Sequence, residues 1–416
     1  MLPMPLPCPA TLPTPKPDRR REGTAPVRSV LAGQQPPSVG DGNLSRAWPT
    51  QNVAWIRAAA RHLCAPHEVR TLPADGPDAT AGLSEALRVS VHTPSGRRQP
   101  RLTLPGAHVT GEPCDLPPGQ ATALLRQLAA QPMALELPRV PANSATPDAI
   151  RQAYAGRAIV RVFEAPGAPY VELDDTWTDP LQRFNAGRRS DFRRAEQHAR
   201  RMGGAHPVFH DDLYGPALES CLDTAFEVEA RSWKGRAGSA LAHDLPMGRF
   251  IRDVARAAAR SGELRLAFLQ VDGRPAAMQI AVASSQRLWL LKIGYDPAFA
   301  RCRPGQLLLL HTLARAAREG LRSCELMGHA AAWTVQWTTT LRACVGIRVY
   351  PMTRPGLHAW GEDVADALAR RLRGVTARFR ADATGASHLT AQTAPAEPDT
   401  PAAMVEAAGP DGKVRP

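Results

Sequence analysis

Hydrophobic and polar residues alternate most regularly in the second half of the chain. Apolar residues recur at every second position over 264–271 and 275–283, and a third apolar run covers 287–293. This period is that of half-buried strands. Asp272-Gly273, between the first two runs, is a typical hairpin turn. The pattern predicts an antiparallel three-stranded meander.

Segments with apolar residues at helical spacing lie before and after the meander in the sequence. They predict a long helix at about 179–201, a second from Asp211 or Asp212 to near Trp233, and a third at about 246–260. After the meander, Pro304-Gly305 opens a helix that ends at Gly320. A strand at 323–327, a helix at 331–341 and a strand at 347–350 complete the predicted set.

The first half is less regular. Helical patterns cover about 52–64 and 121–131, and short strands are predicted at 134–137 and 159–163, which suits a small α/β layer. Residues 1–48 and 376–416 are rich in small, polar and proline residues and show no period. We expect both ends to be disordered tails, because such segments cannot bury enough surface to offset their ordering entropy.

Composition narrows the class of protein. The net charge of +12 favours polyanions or phosphate-bearing ligands as partners. Nucleic acid is not expected, because no run of basic and aromatic residues and no zinc-finger spacing occurs. Seven scattered cysteines without C-x-x-C pairs argue against a disulfide framework and a metal site.

No apolar run is long enough for a membrane span, and the proline-rich N-terminus does not suit a secretory signal. We therefore expect a cytoplasmic protein.

Four segments carry a resemblance to a known family. They are Arg188–Arg194 (RRSDFRR), Glu229–Gly238 (EARSWKGRAG), Leu291–Asp296 (LKIGYD) and Arg303–Leu308 (RPGQLL). In this order they resemble the GNAT superfamily of acyltransferases, and most nearly its CelD-like or acetyltransferase 6 subgroup. The resemblance implies an α/β fold with a mixed sheet and a Fem-type doubled architecture. Residues 50–165 would form a degenerate N-terminal GNAT-like half, and 166–355 the C-terminal acyltransferase domain.

The resemblance also implies an activity and a co-substrate. The expected reaction is transfer of an acyl group from acetyl-CoA or another acyl-CoA to an amine, carried by a small molecule or a saccharide. The start of the 304–320 helix is the expected CoA site, because free N–H groups and the helix dipole favour a pyrophosphate. The residues implied for this contact are Arg301, Arg303, Gly305, Gln306 and Leu307.

Three residues are candidates for the chemistry. Glu229 matches the family motif and is the candidate general base; alternatively, it is an exposed helix carboxylate paired with Arg231 or Lys234. Tyr295 is a candidate acid toward the departing thiolate, or else a packed tyrosine. Asp296 is the third candidate, at the end of the same strand.

Four further residues are candidate substrate contacts: Trp233, Lys234, Lys292 and Trp337. The two lysines suit an anionic acceptor or phosphates. Relatives often carry a glycine, a Tyr-Lys pair and a tryptophan after the fourth strand. Here the corresponding residues are Gly328, Trp333-Thr334 and Trp337, so the lysine is missing.

Two alternative functions remain open. A Fem-type transferase would take its acyl group from charged tRNA, which the basic balance suits. A catalytically inactive binding module would be consistent with the missing lysine. A metal centre is not expected at His206 and His210, whose spacing falls across a predicted strand and turn.

Overall fold

The computed structural model describes residues 48–72, 87–117 and 121–385. The predicted tails, 1–48 and 376–416, lie outside these ranges apart from Trp48 and residues 376–385. The last ten described residues belong to a helix that begins at Arg354.

The described residues form eleven strands and eleven α-helices. The strands are β1 (Val69–Leu72), β2 (Leu87–His92), β3 (Arg101–Thr103), β4 (Ala134–Pro141), β5 (Ala158–Glu172), β6 (Ala205–His210), β7 (Leu264–Val271), β8 (Arg274–Ser284), β9 (Arg287–Tyr295), β10 (Ser323–Glu325) and β11 (Leu341–Pro351). The helices are α1 (Val53–His62), α2 (Ala107–Thr110), α3 (Ala121–Ala129), α4 (Thr146–Ala153), α5 (Ala186–Arg201), α6 (Gly215–Arg231), α7 (Trp233–Arg236), α8 (Leu245–Arg260), α9 (Pro304–Arg318), α10 (Ala332–Val335) and α11 (Arg354–Gly385).

All eleven strands join one mixed sheet in the order β1-β2-β3-β4-β11-β5-β10-β9-β8-β7-β6. The two ends of the sheet share a pattern. Antiparallel strands β1–β3 are followed by the parallel pair β3–β4, and antiparallel strands β6–β9 by the parallel pair β9–β10. The predicted mixed α/β fold is therefore confirmed.

Strand β11 occupies the centre of the sheet. It pairs antiparallel with β4 on one side and β5 on the other. Strand β5 bridges the two ends, because its first part pairs with β11 and residues 170–172 pair with β10. The last strand of the chain thus lies between two strands of the first half, an arrangement that the short predicted strand at 347–350 did not indicate.

Helices cover both faces of the second half of the sheet. One core lies against α5 and α9 and contains Leu290 and Leu308, while another lies against α1, α6 and α8 and contains Phe226 and Ile280. The meander β7–β9 follows its predicted bounds closely, and Asp272 and Gly273 both take positive φ at its first turn. The predicted secondary structure is most accurate where apolar alternation is strict.

Three predicted helix bounds were wrong. Helix α5 begins at Ala186 rather than near 179, because the Asn185 side chain accepts a hydrogen bond from the Arg188 N–H and caps it there. Helix α6 begins at Gly215, and Asp211 pairs instead with Arg315. The predicted helix 331–341 is reduced to Ala332–Val335, because β11 already begins at Leu341.

Candidate active site

Strands β9 and β10 diverge soon after they meet. Their parallel pairing covers only Arg287–Trp289 and Ser323–Glu325. Strand β9 continues to Tyr295 against β8, with one extra residue at Leu291, where the register shifts. Along residues 290–295, β9 therefore has no strand neighbour on its β10 side among the described residues. We call this opening the split.

Helix α9 begins beside the end of β9. After Asp296 the chain makes a 3-10 turn over Pro297–Cys302, and Arg303 takes a left-handed conformation with φ 44° before α9 starts. A β-carbon on Gly305 would lie 3.7 Å from the Tyr295 ring. The missing side chain leaves the first turn of α9 accessible to a close ligand, and the helix dipole there favours an anion.

Polar side chains gather at this helix start. Arg301 and Arg303 are exposed, and Arg303 forms an ion pair of 3.3 Å with Asp191. The Gln306 amide donates to the Gln336 oxygen at 3.0 Å. These contacts place three of the predicted CoA residues around the first turn of α9.

Leu307, the remaining predicted CoA contact, has its side chain in the core. Only its main chain belongs to the first turn, and its N–H already bonds the Arg303 carbonyl at 3.1 Å. Its side chain therefore anchors the helix against the sheet.

Glu229 is buried, with 1% of its surface exposed. One carboxylate oxygen accepts from Lys234 Nζ at 2.8 Å and the other from the Leu241 N–H at 2.9 Å. Lys234 also donates to the Ile293 carbonyl of β9 at 2.9 Å. Gly294 allows this close approach, because a β-carbon there would lie 3.0 Å from the Glu229 Cα. Glu229 thus pairs with Lys234, one of the two partners that the alternative interpretation named, but Glu229 itself is buried and the pair ties α6 to β9.

The other predicted residues separate into exposed and buried groups. Tyr295 and Trp233 are exposed. Asp296 is buried; its carboxylate accepts from the Ala298 N–H at 2.9 Å and caps the turn after β9. Trp337 is buried against two phenylalanines of the α5 region, beneath the Arg188 guanidinium.

The first half contributes a carboxylate that the sequence analysis missed. Both oxygens of Glu112 accept from the Gly328 N–H, at 2.9 and 3.1 Å, and burial raises the pKa of Glu112. Arg139 donates to the Gly328 carbonyl at 2.6 Å. The segment that follows β10 is thus held by the first half. Glu112 lies in an aperiodic stretch, and only the flanking Gly111 and Pro113 mark a special backbone there.

Lys292 lies on β9, within electrostatic reach of Glu112 and Glu229. Burial, and then the neighbouring Lys234 charge, lower the pKa of Lys292, while the carboxylates act in the opposite direction. In the described ranges its ammonium has no hydrogen-bond or ion-pair partner. The structure therefore brings together the two predicted lysines, Glu229 and the unpredicted Glu112.

A small cavity lies elsewhere, between α9 and strands β7–β9. Its volume is about 20 Å³, and its lining includes Arg315 and Glu319 at the end of α9. Arg315 lies ten residues after Gly305, which is about 15 Å along the helix axis. This small cavity is therefore separate from the split.

Two kinds of feature are absent from the described part of the chain. No group of three or more His, Cys, Asp or Glu side chains there could hold a metal ion. No helix in the same ranges is long and apolar enough to cross a membrane.

Comparison with known proteins identifies the domain that contains the split. The family described as "Acetyltransferase (GNAT) domain" matches residues 186–335. No curated protein matches the sequence.

Solved structures show distant likenesses. A structure of FemX is 10% identical and covers 73% of this chain and 92% of its own, with a TM-score of 0.46. L-PGS from Bacillus licheniformis is 10% identical, with coverages of 77% and 98% and a TM-score of 0.38. The PaiA N-acetyltransferase from Thermoplasma acidophilum, solved with coenzyme A, is 14% identical, with coverages of 34% and 98% and a TM-score of 0.25. On this family match, residues 186–335 form an acetyltransferase (GNAT) domain.

Proposed function

We propose that this protein is an N-acyltransferase that moves an acyl group, most simply acetyl, from acyl-CoA to an amine. The observation that carries the proposal is the split between β9 and β10, with the open first turn of α9 at its end. Acyl-CoA would supply the activated thioester. Arg301, Gln306 and the Gly305 main chain would bind its phosphates.

The acceptor side of the reaction needs a group that takes the proton of the attacking amine. Glu229 was the sequence candidate, but two donors, the Lys234 ammonium and the Leu241 N–H, each bond one of its oxygens, whereas the two oxygens of Glu112 share a single donor, the Gly328 N–H. Glu112 is a second carboxylate at the same junction, and burial raises its pKa, which makes it a stronger base than an exposed carboxylate. We propose Glu112 as the base, with Glu229 holding Lys234 in position.

Lys292 and Tyr295 complete the proposed site. Lys292 is half-buried and has no partner among the described residues, so a negatively charged group of the acceptor would pair with its ammonium. Tyr295 lies at the end of the split and would donate a proton to the departing thiolate. We propose an amine that also carries an anionic group, with acidic or phosphorylated amino sugars of polysaccharides among the candidates.

Transfer from charged tRNA is the second candidate function. Its supporting observation is the row of exposed arginines on α5, where Arg193, Arg194, Arg200 and Arg201 all face solvent. Such a row would contact a phosphate backbone, and binding would weaken steeply with salt.

Ligand-induced stabilisation tests the first proposal. Acetyl-CoA at about 100 times its Kd stabilises the native state by about 2.7 kcal/mol, so the Tm should rise by several degrees. Gly305→Asp should abolish the shift, because it adds a side chain and a like charge at the phosphate position. Gly361→Asp, at an open helical position of α11, should retain it.

Two outcomes would contradict the proposal. An unshifted wild-type Tm in millimolar acyl-CoA would remove CoA as the donor. If salt-sensitive tRNA binding were found in its place, the second function would be favoured. With an acceptor from a panel of amino sugars, polyamines and amino acids, Glu112→Gln should lower kcat by about 10²- to 10⁴-fold without weakening the acyl-CoA shift.

A further inference from the structure

The outward face of α11 carries an apolar stripe. Leu357, Trp360, Val364, Leu368 and Leu372 are each between 38% and 59% exposed. They follow one another at intervals of three or four residues, which places them along one face of the helix. A continuous row of large exposed apolar side chains indicates a surface that meets a partner.

The opposite side of α11 is fixed to the first half of the sheet. Asp363 is buried and accepts from Arg101 Nη2 at 2.7 Å and from the Tyr350 hydroxyl at 2.5 Å. Ala359 is fully buried on the same side. At about 100° per residue, both lie more than about 100° around the helix from the centre of the stripe. The helix therefore cannot roll its stripe inward without breaking buried ion pairs.

The acidic and basic residues of α11 lie on different sides of the helix. Its acidic residues up to position 373 all bond to the first half: Glu362, Asp363 and Asp366. Arg354 and Arg371 are exposed and lie on the two flanks of the stripe. The surface beside the stripe is therefore basic.

This charge pattern indicates which class of partner the stripe contacts. A second copy of the chain packed stripe to stripe would bring the flanking arginines of both helices together, and like charges at close range are destabilising. An anionic surface would complement them. We infer that the outward face of α11 lies on the surface of a lipid bilayer that contains anionic phospholipids. The leucines would enter the acyl region, Trp360 the interface, and the arginines would contact the phosphates.

Vesicle co-sedimentation of the full chain tests this inference. The wild-type protein should bind phosphatidylglycerol/phosphatidylcholine vesicles (1:1) at least about tenfold more tightly than phosphatidylcholine alone, and more weakly at high salt. Leu368→Glu/Leu372→Glu should lose at least about tenfold of that binding. Leu245→Glu is the matched control, because Leu245 on α8 is as exposed as Leu372, at 59%, and it should bind as the wild type does.

Several results would overturn the inference. The first is that the wild-type protein does not bind the anionic vesicles. The second is that the double variant binds them as tightly as the wild type, and the third is that Leu245→Glu loses as much binding as the double variant. A dimer that the double variant dissociates, without lipid binding, would show that a second copy covers the stripe. Circular dichroism and the acyl-CoA thermal shift serve as separate readouts, so that failure of α11 to bind lipid is distinguished from failure of the proposed acyl transfer.

Discussion

Replacing Glu229 by glutamine tests whether this residue holds Lys234 in place or takes part in catalysis. The change keeps the size of the side chain and removes the charge that faces Lys234 Nζ at 2.8 Å. Removing one partner of a buried pair costs about 3–5 kcal/mol. Because 23% of the Lys234 side chain is exposed, part of that cost is relieved by water. We expect a loss of about 2–3 kcal/mol in the free energy of unfolding, measured by urea denaturation.

A neighbouring ion pair gives the matched control. Glu227 and Arg231 lie 3.4 Å apart on the exposed side of the same helix, so Glu227→Gln should cost less than about 0.5 kcal/mol. A double-mutant cycle with Lys234→Met should show coupling between Glu229 and Lys234, because the second change removes the unpaired ammonium. Equal stability losses for Glu227→Gln and Glu229→Gln would refute the anchoring argument.

Kinetics complete this test. If Glu229 only positions Lys234, Glu229→Gln should keep the wild-type pH dependence of kcat, whereas loss of the base at Glu112 should change it. A fall in kcat that higher pH partly restores in Glu229→Gln would return the base role to Glu229.

Two further substitutions test the packing and the electrostatics of the fold. The His108 ring stacks on His92 at 4.0 Å, and burial lowers the pKa of His108 to about 4. The unfolded chain therefore binds this proton first. In pH-dependent urea denaturation, acidification from pH 7 to 5 should cost the wild type roughly 1–2 kcal/mol more stability than it costs His108→Gln. Gly294→Ala should lose roughly 1–3 kcal/mol, because its β-carbon would press on the Glu229 main chain at 3.0 Å. Gly361→Ala, at an open helical position, should stabilise slightly in the same assay; an equal loss in both variants would exclude the proposed clash.

Elements that depend on interactions between residues close in sequence were predicted well, and elements that depend on long-range contacts were not. Strands β7–β9 were predicted well because alternation and the Asp272-Gly273 turn are local signals. The position of β11 depends on contacts with β4 and β5, which no local pattern contains. Helix α11 was missed because its apolar stripe faces outward and its buried face is charged, the reverse of the usual amphipathic pattern.

The candidate site shows the same division. Gly305 and its neighbours were predicted because a helix start has a short signature, and α9 does begin there. Glu229 was found by its motif, but burial and its two hydrogen bonds could not be inferred from spacing alone. Glu112 reaches the split only because the first half packs against the segment after β10. A single carboxylate in an aperiodic loop gives no sequence signal for such a contact.

The central position of β11 has a consequence for how the chain folds. During synthesis, β4 and β5 emerge long before β11, and both of the edges that β11 will pair with must wait for it. Contacts across about 200 residues close a long loop, which slows folding and leaves strand edges unpaired in the meantime. Such edges are templates for aggregation. The nascent first half therefore exposes two unpaired strand edges until residue 351 has left the ribosome.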